Sequence, residues 1–155
     1  MNIHIRKAKT SEAKLLTNLA MTSKSVWGYS KEFMQGCREE LSVSHVKISN
    51  PKFHYYVAES IKEVLGFYAL EILDDSKIEL EALFVYPQYL GKGVGKALMN
   101  HAKMLAIELD AKKMIIQGDP NAEGFYLAAG AKRVGEKESG SIKGRFLPLY
   151  EILLM

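Results

Sequence analysis

Residues 85–96 read VYPQYLGKGVGK, with glycines at 91, 93 and 95 and lysines at 92 and 96. The run leading into it, KIELEALFVY (77–86), alternates apolar and polar residues and reads as a strand. Beyond it, Val94, Ala97, Leu98, Ala102, Leu105, Ala106 and Leu109 step by three or four, the period of an amphipathic helix. A glycine turn between strand and helix brings bare backbone to a helix N-terminus. The amides there lack internal partners, and the helix dipole adds partial positive charge. Glycine places no Cβ between that backbone and a bulky anion, so the spacing predicts a phosphate cradle, with Lys92 and Lys96 adding charge. Two phosphate motifs fail by arithmetic. A Walker A loop ending on Gly95-Lys96 needs glycine at 90 and Ser or Thr at 97, where Leu90 and Ala97 stand. A G-x-G-x-x-G fingerprint needs glycine at 96 or 98, where Lys96 and Leu98 stand.

Outward from this stretch, IHIR (3–6) reads as a first strand. Thr10 or Ser11 can cap a helix to about residue 23, and Ser30 a second over 31–41. A short helical turn is expected over 44–50. FHYYVAES (53–60) and EVLGFYALEIL (63–73) read as a hairpin, joined to the next strand by the polar turn DDS. After the long helix come a buried strand (112–119), a helix opened by Asn121 and closed by Gly130, and two strands (131–138, 145–154) around the loop SGSIKG. The order β-α-α-β-β-β-α-β-α-β-β predicts an α/β (α+β) fold with a mixed, mostly antiparallel sheet.

The chain has 155 residues, 48% apolar and 25% charged, which fits one soluble domain spanning 1–155. A net charge of +3 is too small and scattered to point to nucleic acid. One cysteine, Cys37, rules out a disulfide framework and sets a reducing cytoplasm as the expected compartment. No leader-like or membrane-length apolar run occurs. His4, His45, His54 and His101 have no metal-ligand spacing, so no metal is expected. Cys37 shares a helical face with Phe33, Met34 and Leu41, which favours packing over nucleophilic chemistry.

LFVYPQYLGKGVGKALMNHA (83–102) resembles the acetyl-CoA-binding segment of the GNAT superfamily of N-acetyltransferases: a strand ending in V-x-P, then [QR]-G-x-G-x-[GA], then a helix. The chain reads Val85-Tyr86-Pro87, then Leu90-Gly91-Lys92-Gly93-Val94-Gly95. It departs at Leu90, where the family usually has Gln or Arg, which removes one side-chain contact but leaves the backbone cradle. DPNAEGFYLAAGAKRVGE (119–136) looks like the family's later segment, with Asn121 and Tyr126 on its Asn and Tyr positions. The resemblance covers all 155 residues and implies a sheet of about seven strands flanked by about four helices, splayed between strands 4 and 5.

It further implies that amides from Gly91 to Lys96, with Val94 and Leu90 in the loop, hold the pyrophosphate of acetyl-CoA. Pantetheine would pair with the backbone of Leu83, Phe84 and Val85, Asn121 would lie near it, and Tyr126 would donate a proton to the leaving thiolate. Strand periodicity puts Glu79 and Glu81 on one face, as base or as binders of a cationic amine; either of them, or a water chain, is the base. Trp27, Tyr29 and Phe33 are candidates for an aromatic acceptor pocket, and Arg145 for a contact with an acidic group. The expected activity is acetyl transfer to a primary amine of a small molecule, by direct attack in a ternary complex. The alternatives are a CoA-binding sensor without turnover, or acetylation of a protein lysine or N-terminus. A homodimer is left open.

Overall fold

The computed structural model describes residues 1–140 and 142–154; Ser141, in the loop expected before the last strand, lies outside them. Strands β1 (His4–Lys7), β2 (Phe53–Ser60), β3 (Glu63–Ile72), β4 (Lys77–Val85), β5 (Lys113–Gln117), β6 (Lys132–Glu138) and β7 (Phe146–Leu153) form one sheet in the order β1-β2-β3-β4-β5-β7-β6. Only β4 and β5 are parallel, because the long helix α4 (Val94–Glu108) carries the chain back across the sheet between them. The other helices are α1 (Ala13–Ser25), α2 (Lys31–Leu41), α3 (His45–Ser49) and α5 (Glu123–Ala128). That makes five α-helices among the described residues, two of them barely more than a turn.

The sheet is covered on both faces. On one, Leu16, Leu19 and Ala20 of α1 meet Tyr55, Val57, Phe67 and Ala69. On the other, Leu98, Met99, Ala102 and Ala106 of α4 meet Leu65, Ile78, Leu80 and Val85. Strand β3 lies between the two cores, so it is buried continuously from Leu65 to Leu70 rather than in alternation.

Local chemistry sets the boundaries. Ser30 caps α2, its hydroxyl accepting from the Phe33 amide at 3.1 Å. Neither Thr10 nor Ser11 caps a helix. Both sit in a 3-10 turn ahead of α1, and Glu12 reaches back to accept from the Lys9 amide at 2.7 Å. The β2–β3 hairpin turns on Ile61 and Lys62, both at positive φ. The Asp74 carboxylate closes the next turn by accepting from the Ser76 and Lys77 amides. Asn121 does not open its helix as a cap. It lies in a 3-10 turn ahead of α5; Asp119 caps that turn by accepting from the Asn121 amide at 2.9 Å, and the N-cap of α5 itself is Ala122. Pro120 fixes the first position of a 3-10 turn that leads into α5.

Candidate active site

The sheet parts in the middle. Strand β4 pairs with β5 only from Lys77↔Lys113 to Glu79↔Ile115, whereas β5 stays paired with β7 as far as Gln117↔Leu149. Between Ala69 and Leu70 the β3–β4 register shifts by one, and Glu81 is the extra residue between Leu80 and Ala82. A bulge bends its strand and increases the local twist, which turns the end of β4 away from β5. The seam opens into a cleft of about 780 Å³.

One end of the cleft is the glycine turn. Gly91 (φ 76) and Gly93 (φ 85) are left-handed, a conformation costly for other residues. A Cβ at either would meet nothing within 4 Å, so the space above the turn is open. Gly93 is the N-cap of α4 and offers no side chain to its first amides, and no acidic residue sits in the first turn. Those donors are therefore left for a ligand. Gly95 serves a different purpose, since its Cβ would lie 3.1 Å from the Phe125 ring of α5. Leu90, Gly91, Gly93, Gly95 and Lys96 line the cleft; Lys92 and Val94 do not. Leu83, Phe84 and Val85 line its β4 wall.

Across the seam stands Tyr126, buried on α5, its ring packed on Gly118 and 5.5 Å from that of Tyr150. Burial, with the nearby Asp119 charge, pushes its phenol well above the usual range and keeps it protonated. Gln117 lines the cleft with its side-chain nitrogen Nε2 buried and without a hydrogen-bond partner among the described residues.

The far end is acidic. Glu40, Glu71, Glu79 and Glu81 all line it. Burial raises the Glu79 carboxyl, and Glu71 and Glu81 push it the same way. Burial also raises Glu81, against the opposing pull of Lys47, whose ammonium lies 3.3 Å from Oε1. The other oxygen, Oε2, is buried with no hydrogen-bond partner among the described residues. Period 2 thus places Glu79 and Glu81 on one face as the sequence predicts.

Of the three aromatic residues expected at the acceptor pocket, only Trp27 lines the cleft, and it is half exposed. Tyr29 lies behind that wall, stacked on Phe33 with ring centroids 4.2 Å apart. Its hydroxyl donates to Asp119 (2.8 Å to Oδ2) and accepts from Asn121 Nδ2 (3.0 Å) and an Arg145 guanidinium nitrogen (2.9 Å). Lys24 donates to the same carboxylate at 3.2 Å. Burial works to raise the Asp119 carboxyl, but the Asn121 amide, the Tyr29 hydroxyl and the Lys24 ammonium outweigh it and hold it low. Sequence reading missed Asp119 as a site residue; the Asp-Pro-Asn order, with a carboxylate just before a proline at N1, is the signal that would have marked it as a cap. Nothing local signals Glu40, Glu71 or Lys24, which reach the cleft from separate elements.

Residues 18–131 match the family model described as Acetyltransferase (GNAT) family. The chain is 29% identical over 154 residues to the peptidyl-lysine N-acetyltransferase YjaB of Salmonella typhimurium, covering 99% of both proteins. Its fold is similar to that of PaiA N-acetyltransferase from Thermoplasma acidophilum, crystallised with coenzyme A (TM-score 0.79, 22% identity, 99% of both chains). It is also similar to a GNAT acetyltransferase from Elizabethkingia anophelis with acetyl-CoA bound (TM-score 0.71, 18% identity, 99% of both chains). Among the described residues no helix is long and apolar enough to cross a membrane.

Proposed function

From the premise that the chain belongs to the GNAT family of acetyltransferases, we propose that it transfers the acetyl group of acetyl-CoA to a primary amine of a small molecule, by direct attack within a ternary complex. The observation that carries this reading is the open β4–β5 seam, with bare helix amides at one end and partly buried carboxylates, Glu79 and Glu81, at the other. The residues present fit acetyl-CoA. Gly91 and Gly93 expose backbone to open space, and the first amides of α4 have no side-chain cap. Acetyl-CoA supplies an activated thioester and a thiol leaving group.

The chain's residues do the rest. Amides from Gly91 to Lys96 hold the pyrophosphate, and the side chain of Leu90 adds no polar contact. The unpaired edge of Leu83, Phe84 and Val85 pairs with pantetheine, and an amide there polarises the thioester carbonyl. Asn121 contacts pantetheine as well. Glu81 takes the proton from the attacking amine, directly or through a water; its raised affinity for a proton makes it a stronger base than an ordinary carboxylate. Glu79 binds the cationic form of the acceptor. The Tyr126 phenol, far less acidic than a thiol, stays protonated and donates a hydrogen bond to the departing thiolate. Trp27 forms the acceptor wall, backed by Tyr29 and Phe33.

The similarity to a peptidyl-lysine N-acetyltransferase over the full chain favours one second reading, in which the amine is a lysine side chain of a protein. A thiol-release assay with acetyl-CoA separates the two. Polyamines, aminoglycosides and amino acids form one arm of the panel, and lysine-bearing peptides the other. Release with free amines supports the small-molecule reading, and release with peptides alone replaces it. No release with any amine, in protein that binds acetyl-CoA, overturns both.

A further inference from the structure

The Asp119 carboxylate is shared by parts of the chain that are far apart in sequence. Lys24 comes from the end of α1, Tyr29 from the loop before α2, and Arg145 from the residue before β7, with an oxygen–nitrogen distance of 3.5 Å for the last. Asn121, which follows Asp119 by two positions, is bound into the same cluster. Its side-chain NH₂ carries two protons, one given to Asp119 Oδ1 at 2.9 Å and the other to the Tyr29 oxygen at 3.0 Å. Both donors are thus engaged, so the carboxamide orientation is fixed and only its carbonyl oxygen remains for a ligand in the cleft that Asn121 lines. Arg145 lies over the rings of Tyr29 (5.3 Å) and Phe33 (4.8 Å), which braces the loop from the other side.

We propose that Tyr29 and Asp119 form a clasp that couples the two halves of the cleft: a ligand that engages the Asn121 carbonyl oxygen on the cofactor side thereby further orders the 24–33 segment that backs the acceptor wall. Tyr29 and Asp119 are positioning residues that act through Asn121. The coupling is reciprocal, so an acceptor lodged against that wall strengthens coenzyme A binding by the same factor. This inference rests on the reading of the cleft as the acetyl-CoA site.

The test is hydrogen–deuterium exchange with coenzyme A, on the full chain and on Tyr29→Phe and Asp119→Asn. Tyr29→Phe keeps the ring stack on Phe33 and deletes only the shared hydroxyl, and thermal melts verify that both variants are folded. In the wild type, saturating coenzyme A should slow exchange at 91–97 and also, by about fivefold or more, at 24–33, the lower end of ordinary coupling. In either variant the slowing at 91–97 should persist while that at 24–33 falls below about twofold, under the range of ordinary coupling. Slowing at 91–97 with none at 24–33 in the wild type overturns the clasp, as does equal slowing at 24–33 in Tyr29→Phe. No slowing at 91–97 in the wild type, with no heat of binding, overturns the assignment of the cleft itself and is distinct from both.

Discussion

At the scale of single residues, the cleft holds carboxyl groups perturbed in opposite directions. Glu81 and Glu79 are raised mainly by burial, and Asp119 is held low by its donors. As a base, Glu81 must be ionised, so acetyl transfer should rise with pH through its raised pKa, above the ordinary glutamate value near ~4.3. Glu81→Gln should lose that limb of the kcat/KM profile and about 10²-fold or more in rate, while calorimetry gives an unchanged Kd for acetyl-CoA. An unaltered profile would remove Glu81 from the chemistry. Glu79 makes a stability prediction. Its folded-state pKa lies above the unfolded one, so its contribution is full in acid and is lost as pH rises through the folded value. Above the unfolded pKa the raised value therefore works against the apo fold, and Glu79→Gln should raise Tm at pH 7.5 but not below pH ~4, where the glutamate is protonated in both states. Binding machinery maintained at the expense of stability is the general pattern behind such substitutions.

At the scale of elements, the β4 bulge and the α4 N-terminus act together: one opens the seam and the other presents unused amides to it. Gly93 holds its left-handed conformation at the junction, so Gly93→Ala should cost about 1–2 kcal/mol. For a chain of this size that lowers Tm by roughly 2–8 °C. Because the strain falls on the amides assigned to pyrophosphate, acetyl-CoA affinity should fall as well, by about tenfold if ~1.4 kcal/mol is lost at the loop. A Gly93→Ala protein with wild-type affinity would show that the turn does not hold the ligand. Leu90 offers the opposite experiment. It is 52% exposed at the edge of the cleft, and Leu90→Arg places a cation there. It should tighten acetyl-CoA binding about threefold to tenfold at low salt and lose the gain as salt screens the charge.

At the scale of the whole molecule, a ligand in the seam would bridge β4, α4 and the β5–α5 side, which share few main-chain bonds there. Acetyl-CoA at ~100 times its Kd should add about 2.7 kcal/mol to stability. Differential scanning fluorimetry should then show Tm rising by roughly 5–10 °C; no shift would show that the folded chain does not bind acetyl-CoA. The alternation of 77–86, the helical period after Val94 and the glycines between them determined by themselves the strand–turn–helix unit, because hydrophobic period and left-handed backbone are local properties. They also put Glu79 and Glu81 on one face. The sequence did not determine the bulge at Glu81 or the extent of the seam, which arise from a strand register set by pairing across the sheet. Nor did it bring Lys24, Tyr29, Asp119 and Arg145 together, since a carboxylate shared with Lys24 and Tyr29, 95 and 90 positions away, and with Arg145 exists only once the sheet has folded. Tyr29 shows the difference most directly. Its sequence position suggested a ring facing the acceptor, and the tertiary structure turned its hydroxyl to the partly buried Asp119 carboxylate, because withdrawing that charge from water is favourable only when donors from several elements satisfy it.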